Sequence, residues 1–226
     1  MKITYYGHST FMIDTAGKSI LFDPFISSNP LAKGVDVTSI CPDYMLISHG
    51  HGDHIEDALQ IAKQSNCMVV GVYEITSWLQ KQGVSKTHGM NIGGKWNFDF
   101  GSIKLTPALH SSTLPDGSCG GNPAGFLVEN DTDNFYYSGD TGLFSDMALI
   151  GKNKNLKTAF LPIGDNYTMG VEDALEASKY LGVKHITAMH YDTFDTIRVD
   201  HSKCTEMFDK AGMKLEFMKV GSQIQL

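Results

Sequence analysis

Short apolar or alternating runs of strand length recur along the chain. Residues 2–6, 19–22, 44–48, 68–72, 96–100, 103–109, 125–129, 135–138, 159–163 and 186–189 read as β-strands, and a terminal pair is expected near 214–219 and 223–226. Helical periodicity falls between some of them. Ile55, Ala58, Leu59 and Ala62 share one face, as do Val171, Ala174, Leu175, Ser178 and Leu181, and 201–211 reads as a third helix. Strands come in clusters first and then alternate with helices. That order suggests two mixed sheets packed face to face with helices outside, although an ordinary α/β sandwich fits the same pattern.

The chain has 226 residues, 42% of them hydrophobic, enough to bury a substantial core within the size of one domain, so residues 1–226 are expected to form a single unit. No low-complexity tract or Pro/Ser-rich linker divides it. With 25 acidic against 18 basic residues the formal charge is -7, which argues against unspecific attraction to nucleic acid or to an anionic membrane. The four cysteines, Cys41, Cys67, Cys119 and Cys204, form no CxxC pair, so neither a zinc knuckle nor a disulfide framework is suggested and a reducing compartment fits. The first ten residues lack the pattern of a secretory signal, and no stretch approaches the roughly 18 apolar residues of a membrane span. The expected location is the cytoplasm.

The densest chemical signal is Ser48-His49-Gly50-His51-Gly52-Asp53-His54, which follows the apolar run Tyr44-Met45-Leu46-Ile47 and precedes a helix expected to begin near Ile55. In extended backbone, side chains alternate, so His49 and His51 can point to one side while the glycines between them clear space. That arrangement suits one metal ion. Asp53 and His54, adjacent at the turn into the helix, must project differently and are natural ligands for a second. Two ions need more ligands than this turn offers. His110, Asp140 and His190 follow strand-like runs, and strand ends on one edge of a sheet converge on a common crevice. Each alone reads more readily as a hydrogen-bonded loop residue; their recurrence at strand ends favours a shared site.

HxHxDH followed by a distant His, Asp and His resembles the ligand order of the metallo-β-lactamase superfamily, and the resemblance covers nearly the whole chain. More narrowly, the sequence is similar to the metal-dependent hydrolases of the UPF0173 type, near their ascorbate-6-phosphate lactonase-like branch. The matching blocks are Gly7-His8-Ser9, Phe22-Asp23-Pro24, Ala108-Leu109-His110-Ser111-Ser112, Ser138-Gly139-Asp140-Thr141-Gly142, Leu161-Pro162-Ile163-Gly164, Tyr167-Thr168-Met169 and His190-Tyr191-Asp192-Thr193-Phe194. The subgroup's usual proline after the last block is Asp195 here, and Asp165-Asn166-Tyr167 replaces its glycine-rich stretch.

The resemblance implies an α/β (α+β) fold, the αββα four-layer sandwich of the metallo-β-lactamase type. It also implies that His49, His51 and His110 bind a first metal, that Asp53, His54 and His190 bind a second, and that Asp140 bridges both. The cofactors would be two divalent ions, zinc first, with manganese, iron or nickel also suited to such nitrogen and oxygen ligands. A metal-bridging hydroxide would then cleave an ester, lactone or phosphodiester-type bond in a small-molecule substrate. Asp53, His8 and Asn166 are the candidate catalytic residues, with Tyr167 on the same substrate-side loop. For His8 and Asn166, structural roles in a turn weigh about equally. His88, His185 and His201 read as ordinary surface or core histidines, and Ser111-Ser112 lacks a GxSxG elbow, so a turn role is the better reading. Two alternatives stay open: a nuclease or phosphodiesterase acting on nucleic acid, which the acidic balance disfavours, and a metal-binding protein without turnover. A diiron oxidoreductase would usually carry glutamate at position 51, which is His51 here. A homo-oligomer is compatible with the sequence; no membrane partner is expected.

Overall fold

The computed structural model describes residues 1–226 and contains two seven-stranded mixed sheets. The first is built from β1 (Lys2–Gly7), β2 (Thr10–Thr15), β3 (Lys18–Phe22), β4 (Tyr44–Ile47), β5 (Met68–Val72) and β6 (Thr87–Met90). The second comprises β7 (Lys95–Phe98), β8 (Gly101–Pro107), β9 (Ala124–Glu129), β10 (Asn134–Tyr137), β11 (Thr158–Pro162), β12 (His185–Met189) and β13 (Lys214–Glu216), and β14 (Gln223–Gln225) returns to pair with β1. Spatial order is β14-β1-β2-β3-β4-β5-β6 in one sheet and β13-β12-β11-β10-β9-β8-β7 in the other. Each sheet begins as an antiparallel meander and continues as parallel strands. Parallel neighbours need crossovers. The helices α1 (Gly52–Ile55), α2 (Ala58–Ser65), α3 (Tyr73–Lys81), α4 (Met147–Gly151), α5 (Val171–Leu181) and α6 (His201–Lys210) sit in these connections or flank them.

Alternation along the second sheet shows how the layers form. Phe126, Val128, Phe135, Tyr137, Phe160 and Met189 belong to the large core shared with the first sheet, whereas Leu127, Tyr136, Ala159, Leu161, Ile186 and Ala188 pack in a second core with Ala174, Ala177, Leu181, Cys204 and Phe208 of α5 and α6. Period-two alternation therefore buries both faces. On the other side, Ile61 and Ala62 of α2 and Ile75 and Leu79 of α3 join the large core. Phe160 lies 4.8 Å from Phe11 and 5.9 Å from Phe135 between ring centroids, and such edge-on pairs add about 0.5–1.5 kcal/mol each beyond area burial. The order helix, sheet, sheet, helix is the expected four-layer sandwich.

Several elements differ from the sequence reading. The strand expected at 103–109 ends at Pro107, because proline has no amide proton to continue the ladder, and His110 lies three residues beyond. The 96–100 run divides between β7 and the turn into β8 at Gly101, whose φ of +135° favours glycine. The helix expected from Ile55 is two pieces, α1 and α2, separated by Glu56-Asp57. β2, β6, α3 and α4 had no counterpart in the sequence reading. β2 is buried at nearly every position, so it shows no alternation, and β6 is a half-exposed edge strand. No helix is long and apolar enough to cross a membrane.

Candidate metal centre

All seven expected ligands meet at one end of the sandwich, beyond the carboxyl ends of strands from both sheets. β4 leads into His49, His51, Asp53 and His54; β10, β11 and β12 lead into Asp140, the 163–170 loop and His190; the segment after β8 supplies His110. Ligand-type atoms of His49, His51 and His110 lie within 4.8 Å of one another. Those of His8, Asp53, His54 and His190 form a second such group. Asp140 stands between the groups: its Oδ2 is 2.9 Å from His190 Nε2, 3.3 Å from His54 Nε2, 3.7 Å from His110 Nε2 and 3.9 Å from His49 Nε2.

Backbone conformation at this end is unusual. His8, Asp23 and His190 have φ of +57°, +41° and +55°, a region in which side chains other than glycine are strained, and such residues gather where a site requires them. Gly139 is required beside Asp140, because a Cβ there would lie 2.8 Å from both the Ala124 carbonyl and Ser48 Cβ. Gly164 is likewise pressed against the His190 carbonyl, which an added Cβ would strike.

Asp23 organises the back of the centre, a role the sequence did not signal beyond its place in a matching block. Its Oδ1 accepts the Ser48 amide at 2.7 Å, and its Oδ2 accepts the Ser48 hydroxyl at 2.6 Å, the Tyr137 hydroxyl at 2.8 Å and His54 Nδ1–H at 2.9 Å. Because the Ser48 hydroxyl donates to Asp23, its oxygen is left to accept from His49 Nδ1 at 2.9 Å. Both imidazoles are thereby turned so that Nε2 lone pairs face the centre. Burial, followed by the Asp23 charge, raises the Tyr137 hydroxyl well above its ordinary range, so it stays a donor.

Electrostatics follow from crowding. Burial lowers His49 far below an ordinary histidine and, less strongly, His51 and His110, so these imidazoles are neutral and able to ligate. His8 is pushed down to about 4, first by burial and then by His190, and its Nε2 lies 3.2 Å from Asp53 Oδ2 while Nδ1 lies 2.9 Å from the Thr193 hydroxyl. Burial works to raise Asp140 and Asp53, but neighbouring imidazoles prevail and hold both below the usual carboxylate range. Burial likewise opposes charging of His54, yet Asp140 and Asp23 draw its proton affinity well above 6.5.

The donor set passes a simple test of fit to a metal. Asp140 Oδ1 and His54 Nε2 are buried without a protein hydrogen-bond partner, and groups so desolvated cost about 1–3 kcal/mol each unless something else satisfies them. A cation at the point where His54 Nε2 and Asp140 meet would do so. Among the other sequence candidates, Asn166 sits on the exposed 163–170 loop with φ of +53° and makes no hydrogen bond to the cluster, and Tyr167 beside it is also exposed. Ser112 Oγ accepts the Gly50 amide at 3.0 Å and Ser111 Oγ lies 3.3 Å from His51 Nε2, so both serines support the histidine turn. His185 and His201 lie outside the cluster, bonded to Thr158 and Asp192, and His88 packs on Trp96.

Asp23→Asn tests the support role. The amide puts donors against the Ser48 and Tyr137 hydroxyls and His54, so metal affinity is expected to fall about 10–100-fold while the fold is retained. Competition with a chromophoric chelator measures this; unchanged affinity would remove Asp23 from the support.

Comparison with known proteins gives the family and the fold. Residues 18–191 match the family model of the beta-lactamase superfamily domain. A UPF0173 metal-dependent hydrolase of Flavobacterium johnsoniae is 45% identical over 226 residues, all of both chains, and one from Methylacidiphilum infernorum is 46% identical, again over all of both. Among solved structures, a novel metallo hydrolase from the hyperthermophilic archaeon Ignicoccus hospitalis superposes with a TM-score of 0.89 at 38% identity, over 99% of this chain and 97% of that one. The isothiocyanate hydrolase from Delia radicum gut bacteria, at 21% identity and a TM-score of 0.79 over 100% and 99%, shares the fold. With its HxHxDH turn, its distant histidines and aspartate and its two-sheet sandwich, this chain belongs to the UPF0173 metal-dependent hydrolases of the beta-lactamase superfamily.

Proposed function

We propose that the chain is a dinuclear hydrolase of a small-molecule substrate. In this reading His49, His51 and His110 hold one divalent ion, Asp53, His54 and His190 hold the second, and Asp140 reaches both. The observation that carries the reading is the position of Asp140 Oδ2 between the two histidine groups, beside a fully buried His54 Nε2 that lacks a protein partner. Imidazole nitrogen and carboxylate oxygen suit zinc, and also manganese, iron or nickel. Bound there, the ions would make a water molecule acidic and polarise the scissile ester, lactone or phosphodiester group, so no serine or cysteine nucleophile is needed.

The chain's own groups then have separable tasks. Asp53, the candidate ligand with the more exposed carboxylate, at 28% against 2% for Asp140, can accept a proton from the attacking water on the open side. His8, buried and neutral, fixes Asp53 through Nε2 and is itself fixed by Thr193. Asn166 and Tyr167, exposed on the loop that the Met169 amide ties to the Thr141 carbonyl, would meet a substrate entering from solvent. Both sheets contribute ligands, which supports reading residues 1–226 as one functional unit. The free thiols of Cys41, Cys67, Cys119 and Cys204 fit a cytoplasmic protein.

Elemental analysis of protein purified without chelator is expected to give about two divalent ions per chain, as a two-metal hydrolytic site requires. A panel of lactones, esters and phosphodiesters should then include a substrate that is turned over only by the loaded protein. Saturation at one ion per chain would refute the dinuclear reading, and two ions without turnover would favour a binding protein.

A further inference from the structure

The charge on the metal-centre end of the molecule is distributed one way. Segments 48–57, 108–123, 139–146, 163–170 and 190–200, which carry the candidate ligands and the loops between them, contain a single basic residue, Arg198, and ten acidic ones, seven of them besides the candidate ligands Asp53 and Asp140 and the buried Asp57, which accepts the Ile26 and Ser27 amides. Arg198 is itself paired with Asp195 at 2.7 Å. The other 17 lysines lie outside these segments. Many mark the opposite end: Lys2 and Lys18 open β1 and β3, and Lys157 and Lys184 directly precede β11 and β12. Fields of one sign across an open crevice repel ligands of that sign.

The same loops leave apolar side chains in solvent. Leu109, Tyr167 and Phe194 are 57%, 55% and 38% exposed. Leu109 directly precedes His110, and its amide is held by the Thr141 hydroxyl at 2.9 Å. The ring of Phe194 lies 5.6 Å from that of His8 and 6.5 Å from that of Phe25. The Tyr167 loop is tied to the centre through the Met169 amide, which donates to the Thr141 carbonyl at 2.9 Å. Exposed apolar groups rimmed by polar ones mark sites that cover apolar ligands.

We propose that the crevice accepts substrates with an uncharged, apolar body around the scissile group and rejects those carrying a phosphate or carboxylate elsewhere in the molecule. The proposal rests on the hydrolytic reading of the same site. A phosphate-bearing substrate needs a lysine or arginine for its second charge. None is free in these segments, so beyond the ligand cluster such a group would find no lysine or arginine to pair with. Nucleic acid is rejected for the same reason, since its affinity comes from phosphate neutralisation.

Binding can be tested without turnover. 4-Methylbenzohydroxamate and 4-carboxybenzohydroxamate share a metal-binding head and differ in the charge of the tail. Titrated calorimetrically into the metal-loaded protein at low salt, the methyl compound is expected to bind about tenfold tighter, with a narrower gap at 0.5 M salt, where exposed charges are screened. Asp195→Lys, which removes a carboxylate and releases Arg198 beside Phe194, should narrow the gap about threefold at unchanged metal content. Equal affinities, tighter binding of the carboxylate, or no binding of either compound would overturn the proposal. Kinetics on 4-methylphenyl acetate and 4-acetoxybenzoate, which carries a carboxylate away from its scissile ester, separate it from the hydrolytic reading. A retained binding preference without hydrolysis of either ester refutes hydrolysis alone, whereas faster cleavage of the carboxylate-bearing ester refutes the substrate class alone.

Discussion

Asp140→Asn is expected to lower turnover by at least about 10²-fold while shifting the thermal transition of the chelator-treated protein only slightly. The wild-type carboxylate is fully buried, with His190 and His54 Nε2 at 2.9 and 3.3 Å. It is also the one acidic group within 4 Å of histidines from both ligand groups. Two divalent cations held in one cluster repel each other, and a shared negative charge is what offsets that repulsion. An asparagine keeps the shape and loses the charge. Its amide also places N–H donors where the imidazoles present lone pairs, so one orientation loses a ligand and the other opposes His190 or His54. The second ion should therefore be lost first, and activity with it. His185→Ala is the comparison: His185 bonds Thr158 on the second sheet, away from the cluster, and its removal should leave metal content unchanged. Metal content, turnover and thermal unfolding are measured on both variants. Parent-like stoichiometry and turnover in Asp140→Asn would show that the two groups are not joined through this carboxylate.

How much of this was legible in the sequence depends on whether a residue leaves a local pattern. His49, His51, Asp53 and His54 do: glycine spacing and strand-to-helix context are contained in seven consecutive positions. His110, Asp140 and His190 were legible through their place after strand-like runs and through the family's ligand order. Asp23 and Tyr137 were not. Each is one polar residue among buried apolar ones, and the bond between them joins the residue after β3 of one sheet to the last residue of β10 in the other, separated by 114 positions. The fold divides the same way. α5 shows a clean apolar face and ends on Gly182 at φ of +66°, a standard left-handed stop. β2 and α3 gave no signal, the first because it is buried on both faces and the second because the polar Thr76 takes a place in its buried stripe between Ile75 and Leu79. His8 shows a third kind of failure. The turn was legible and the residue was singled out, but only the tertiary structure places its ring within 4.8 Å of the ligand atoms of Asp53, His54 and His190.

Metal removal should have the largest effect on stability of any change to this site. At ion concentrations near a thousand times the dissociation constant, each site adds about 4 kcal/mol to the folded state. For a chain of this length each kcal/mol moves the transition by about 2–4 °C, so stripping even one site should lower it by about 8–16 °C. The effect should also depend on pH in a stated direction. Without metal, His54 between Asp140 and Asp23 has a folded-state pKa raised well above 6.5. A raised pKa stabilises the stripped protein fully below 6.5 and loses that contribution as pH rises through the folded value. The loaded protein holds its imidazoles deprotonated and gains ion affinity over the same range. The two trends reinforce each other, so the difference between loaded and stripped protein should widen from pH 6.5 upward. Thermal unfolding of both forms at pH 6.5 and 8.5 decides it. A gap that is absent, or that narrows toward alkaline pH, would mean that no ion occupies the space between His54 and Asp140.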